Sequence, residues 1–132
     1  MNCRERHNLT NILYDKIFGS NLKNNKIFLY TEKEHVTYKN FTTLTNKIAN
    51  ILVSYGLGPG DRVAVQVDKS VTQLALYAAT IKAGGVYLPL NTAYTTHELN
   101  YFLSNARPKI IISADDTAEE LEKLYSSKQA IF

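Results

Sequence analysis

From Arg62 onward the chain alternates short apolar runs with longer amphipathic ones, and this alternation constrains its fold more than any other feature of the 132 residues. Val63, Val65 and Val67 fall on one face of a strand over Arg62 to Val67. Ser70 and Gln73 then read as a capping box opening a helix over Val71 to Ala83. That helix is apolar nearly all round, which predicts burial on more than one side. Gly84-Gly85 ends it, and Val86 to Leu90 reads as a strand. Thr95 to Glu98 is a second capping box, with Leu99, Phe102, Leu103 and Ala106 as the apolar stripe behind it and Pro108 after the end. Lys109 to Ser113 carries three consecutive isoleucines, Ile110 to Ile112, as suits a strand buried on both faces. Asp115 or Asp116 caps a last helix with Leu121, Leu124 and Tyr125, and Ile131-Phe132 reads as the first step of another strand. Strand-helix alternation with short links predicts right-handed crossovers. The fold class is therefore α/β, a three-layer parallel sheet with flanking helices.

The first part of the chain reads differently. Asn8 is placed to cap a short helix with Leu9, Ile12, Leu13 and Ile17, ended by Gly19. The runs Lys26 to Thr31 and His35 to Tyr38 flank the polar Glu32-Lys33-Glu34, so a hairpin is expected. Thr37 caps a longer helix with Phe41, Leu44, Ile48, Ile51, Leu52 and Tyr55 at three- and four-residue steps, stopped by Gly56. The division expected is a helix and hairpin over residues 1–40 and the alternating α/β part over 41–132, together forming one incomplete unit.

Composition excludes several classes of function. The net charge of +3 comes from 15 Lys and Arg scattered along the chain, without the stripe or block of a nucleic-acid footprint. No apolar run reaches the ~18 residues that span a bilayer, and the first twenty residues lack the apolar core of a secretory signal. One cysteine, Cys3, gives neither a disulfide framework nor a cysteine zinc site, and fits a reducing, cytoplasmic location. His7, His35 and His97 are too far apart for a local metal motif.

Three segments invite a chemical reading. Gly56-Leu57-Gly58-Pro59-Gly60-Asp61 resembles a nucleotide loop only in glycine content, because a helix precedes it, a strand follows it and its sixth position is Asp61. A helix stop followed by a turn accounts for it. Asp68-Lys69-Ser70 stands where a strand ends and a helix begins, the edge at which open α/β sheets collect ligands and helix N-termini attract anions. Ser70 is already accounted for as a cap. Asp115 and Asp116 occupy a similar edge and read as caps rather than as a paired acid and base. No catalytic, cofactor-binding or metal-binding residue is assigned from these patterns.

The stretch Ile81-Lys82-Ala83-Gly84-Gly85-Val86-Tyr87-Leu88-Pro89-Leu90-Asn91 closely resembles a core motif of the adenylate-forming superfamily, the AMP-forming acyl-CoA synthetases and their relatives. Val36-Thr37-Tyr38, Gly56 to Val65, and Glu98 to Tyr101 with Asn105 to Lys109 agree in order and spacing. Within the superfamily, Lys69-Ser70-Val71 and Leu88 to Thr95 resemble the malonyl-CoA synthetases. The resemblance implies a parent enzyme several times longer that activates a carboxylate with ATP and Mg2+ and passes the acyl group to CoA. It also implies a Ser/Thr/Gly-rich phosphate loop, a ribose-binding Asp and a C-terminal lysine, and no stretch here matches them: no glycine follows Gly85. The expected molecule is an N-terminal piece that binds no cofactor and is inactive alone. A split ligase completed by a separately encoded chain, and a non-catalytic binding or regulatory module, remain as alternatives. Apolar surface meant for the remainder is expected to be exposed and to favour self-association.

Overall fold

The computed structural model describes residues 11–125 and 129–131. Cys3, His7, Asn8, Leu9 and Phe132 lie outside them. Helix α1 (Ile12–Phe18) runs through a short 3-10 turn into the hairpin of β1 (Ile27–Tyr30) and β2 (His35–Thr37). Then come α2 (Tyr38–Ser54), β3 (Arg62–Gln66), α3 (Val71–Lys82), β4 (Val86–Pro89), α4 (Thr96–Ala106), β5 (Ile110–Ser113), α5 (Asp115–Leu124) and β6 (Gln129–Ile131). The four later strands form one parallel sheet in the order β4-β3-β5-β6.

Three layers follow from the alternation of side chains along the strands. Val63, Val65 and Ile110 face Leu52 of α2 and Leu76 and Ala79 of α3. Ala64 and Ile111 face the other way, against Leu99 and Leu103 of α4 and Leu121 of α5. The three isoleucines of β5 thus divide between two cores. A third cluster joins α1 and the hairpin to α3 through Tyr14, Phe18, Val36, Phe41, Ala75, Ala78 and Ile81. Helix α3 is buried against this cluster on one side and the sheet on the other, as its apolar circumference predicts.

Tertiary contacts rotate or shift several elements from their sequence-based placement. The cap of α1 is Asn11, whose side chain accepts from the Tyr14 N–H. Its amide nitrogen also donates to the Ile81 carbonyl, and Lys82 sits over the Tyr14 ring. These ties turn Tyr14 and Phe18 inward and leave Ile12, Leu13 and Ile17 exposed, Ile12 at 71%. In α2 the buried stripe is Phe41, Thr45, Ala49 and Leu52, while Ile51 and Tyr55 face outward. Thr45 and Ala49 take the buried positions between Phe41 and Leu52, and Ala49 packs in the cluster that holds Leu76 and Ala79 of α3. Ser70 caps α3 by accepting from the Gln73 N–H at 3.0 Å, but no reciprocal bond closes the box. The Gln73 side chain instead donates to the Tyr87 hydroxyl at 2.7 Å. The capping box at Thr95 and Glu98 is complete. Helix α5 starts at Asp115 itself, so the N-cap position is Ala114 and precedes both aspartates.

Candidate functional site at the carboxyl edge of the sheet

β3 lies between β4 and β5. The chain leaving β3 crosses to β4 on one side, and the chain leaving β5 crosses to β6 on the other. The carboxyl ends of β3 and β5 are therefore a topological switch point, where divergent connections leave a crevice in open α/β sheets. Gln66 and Ser113 pair in register there. A cleft of about 100 Å3 opens above them, lined by Gln66, Val67, Asp68, Thr92, Ala114 and Thr117. On the α2–α3 face of the same edge, a more apolar cleft of about 290 Å3 is walled by Ile48, Ile51, Leu76, Val67 and Ile112.

Gln66 is the least expected member of the site. It is 3% exposed, a polar residue at the end of a strand whose other buried members are apolar. Its amide nitrogen donates to the Asn91 carbonyl at 3.0 Å. Its Oε1 is buried without a hydrogen-bond partner among the described residues. Thr117 donates to the Ala114 carbonyl at 3.1 Å, which fixes its hydroxyl beside the cleft. The sequence pattern singled out the neighbouring Asp68-Lys69-Ser70 and passed over Gln66, although an amide at the end of an apolar strand was the available signal.

The structure divides that tripeptide. Asp68 borders the small cleft, Lys69 and Ser70 line a separate cleft of about 400 Å3 with Thr31 to Glu34 of the hairpin, and Ser70 also lines the apolar cleft. His35 packs against Tyr30, and His97 lies in the first turn of α4, so the two histidines belong to different layers. Among the described residues no group of three or more His, Cys, Asp or Glu side chains is arranged to hold a metal ion, and no helix is long and apolar enough to cross a membrane.

The glycine segments sit at the opposite, amino edge and do structural work. The Asp61 carboxylate accepts from the Gly58 N–H at 2.9 Å, and the Gly60 N–H donates to the Gly84 carbonyl at 2.9 Å. Gly60 and Gly84 hold φ of 80°, where a side chain is strained. At Gly85 a Cβ would lie 3.1 Å from Leu57 and Thr80 side chains and 3.2 Å from the Asp61 carbonyl oxygen. The two motifs are thus halves of one clasp between the starts of β3 and β4, which explains their glycine content without a nucleotide.

Among the described residues the perturbed titratable groups lie away from the cleft. Burial raises the Tyr14 and Tyr87 hydroxyl pKa values, with Asp15 adding to the first and the Gln73 bond opposing the second. Burial lowers that of Lys82, opposed by Asp15. Glu98 is held below its ordinary value by its bonds from the Thr95 N–H and hydroxyl.

Comparison with known proteins gives this geometry a family. Residues 20–131 match the AMP-binding enzyme family. MatB from Rhodopseudomonas palustris, solved both without ligand and with ATP bound, superposes with a TM-score of 0.87 at 38% identity over 92% of this chain and 25% of its own. The probable nonribosomal peptide synthetase CymA of Salinispora arenicola is 37% identical over 82 residues, 62% of this chain and 1% of CymA. The probable CoA ligase CCL9 of Humulus lupulus is 28% identical over 105 residues, 80% of this chain and 20% of CCL9. The chain thus spans a quarter or less of each of these relatives. On the family match, which takes in the hairpin, the clasp and the whole parallel sheet, the chain belongs to the AMP-binding enzymes, the adenylate-forming family.

Proposed function

We propose that this chain is part of an ATP-dependent acyl-CoA ligase of the malonyl-CoA synthetase type, and that these residues alone do not carry the reaction. In the complete enzyme malonate would attack ATP to give malonyl-adenylate and pyrophosphate. The CoA thiol would then take the acyl group and release AMP, with Mg2+ offsetting phosphate charge. The observation that carries the reading is the match to MatB, which combines the highest identity quoted above with coverage of nearly the whole chain. Family chemistry needs backbone donors and hydroxyls around the phosphates and a cation at the developing charge. The glycines that could cradle phosphate are instead committed to the clasp. The proposed location is the cytoplasm, where ATP and CoA are available.

A second reading, a ligase completed by a separate chain, is favoured by the apolar cleft at the α2–α3 edge and by Ile51 standing open beside it. Under either reading the partner is the remainder of the enzyme. The test replaces the matching quarter of MatB with residues 20–131 and measures malonate-dependent AMP release. Release within tenfold of MatB supports the ligase assignment; a folded chimera that releases no AMP removes it. ATP titrated into the isolated chain separates the two halves of the proposal, because saturable binding there would overturn the claim of an incomplete site.

A further inference from the structure

We propose that Lys82 is an acylation site: its amine takes the acyl group of a short-chain acyl thioester, and the modification loosens α1 from α3. Lys82 stands in the last turn of α3 and is exposed, so a thioester can reach it. Its Nζ donates to the Asn46 side-chain oxygen on α2 and lies 4.9 Å from the centre of the Tyr14 ring on α1. One amine therefore touches three helices. The two groups that it touches are an amide and an aromatic ring, neither of them anionic. Burial against them lowers its pKa, and Asp15 offsets that only in part. A lysine so placed holds more free amine, the nucleophilic form, at a given pH. The Asn46 oxygen accepts an N–H from the neutral amine as well as from the ammonium, so the amine stays oriented after the proton leaves.

In the reaction the lone pair of the free amine attacks the thioester carbonyl carbon. The C–N bond forms, the C–S bond breaks, and the proton lost from nitrogen ends on the departing thiol. The product is a neutral amide. Two adjacent residues at the end of α3 hold α1: the Ile81 carbonyl accepts from Asn11, and the Lys82 ammonium covers the Tyr14 ring. Acylation removes the second hold, because a neutral amide no longer presents a cation to the ring. The Asn11 bond and the packing of Tyr14 and Phe18 remain, so the helix is loosened and not released. The inference stands on this geometry and is independent of the acyl-CoA reading.

The experiment incubates the 132-residue chain with S-acetyl-N-acetylcysteamine, a small uncharged thioester, at a fixed and mildly alkaline pH, and follows each lysine by peptide mass spectrometry. Lys82 should acylate about threefold or more faster than the exposed Lys109 and Lys123. Asn46→Asp, at an exposed position, sets a carboxylate against the ammonium and should slow Lys82 by about threefold while leaving Lys109 unchanged. Lys82→Gln carries a neutral amide at the same place, whereas Lys82→Arg keeps a cation. Hydrogen exchange of the Tyr14 to Phe18 amides should be about threefold faster in the first than in the second, as for one exposed cation–π contact. Acylation of Lys82 no faster than that of Lys109 and Lys123, or at an unchanged rate in Asn46→Asp, would overturn the site. Equal exchange of α1 in the two Lys82 variants would overturn the loosening.

Discussion

Thr45 shows how a single residue can sit in the right place for packing and the wrong place for polarity. Its side chain is 0% exposed in the middle of α2, and its hydroxyl has no partner among the described residues. Thr43 on the same helix donates to the Lys39 carbonyl, so the helix can satisfy a threonine that reaches its preceding turn. Thr45→Val keeps the branched shape and removes the unpaired hydroxyl. The expected gain is about 1 kcal/mol in denaturant unfolding. A loss of stability would mean that the hydroxyl is satisfied in solution. Arg107 is the converse case, a residue at φ 46° where glycine is usual, ending α4 with a bond from its N–H to the Leu103 carbonyl. Fully buried Pro108 follows it and forbids continuation of the helix.

At the scale of an element, α4 links a cap to a pH dependence. Glu98 accepts from both the N–H and the hydroxyl of Thr95 at 2.8 Å. Those bonds favour the ionised carboxylate and depress its folded-state pKa. A depressed carboxylate stabilises the fold above its unfolded pKa of about 4.3 and loses that contribution as pH falls through the folded value. Glu98→Ala should therefore flatten the fall in stability between about pH 5 and pH 3, read from thermal melts across that range. Parallel wild-type and variant curves would remove the cap from the acid response. The half-formed cap on α3 makes the complementary point: Gln73 is more useful to the half-buried hydroxyl of Tyr87 than to the exposed N–H of Ser70.

Across the whole molecule, the helices cover the sheet unevenly. Ile51 and Val53 stand open on α2 and Tyr55 at its C-terminal cap, with Ile12, Leu13 and Ile17 open on α1. Scattered apolar exposure is ordinary, but Ile51 also borders the apolar cleft at the sheet edge. We propose that this patch drives self-association of the chain; Ile51→Glu should then leave monomer stability within about 0.5 kcal/mol and lower both association and binding of an apolar dye. Sedimentation and dye fluorescence over a concentration series check this. An unchanged association constant would place the contact elsewhere.

The order of elements, the parallel sheet, the glycine turns at the helix ends and the cap at Thr95 were all legible in the sequence, because each depends on residues close together in the chain or on a repeating period; that the two glycine turns meet in one clasp was not. The division of Ile110 to Ile112 between two cores follows from the same period-two rule. What local pattern could not give was rotation and competition. Which face of α1 turns inward depends on Asn11 reaching Ile81, seventy residues away. Whether Gln73 closes a box depends on Tyr87, and the burial of Gln66 depends on Asn91 and on the switch in strand order. The sequence determined the layers and the family; only the tertiary structure decided which polar groups were left to face the cleft, because a hydrogen bond is allotted among all the groups within reach and not among neighbours in the chain.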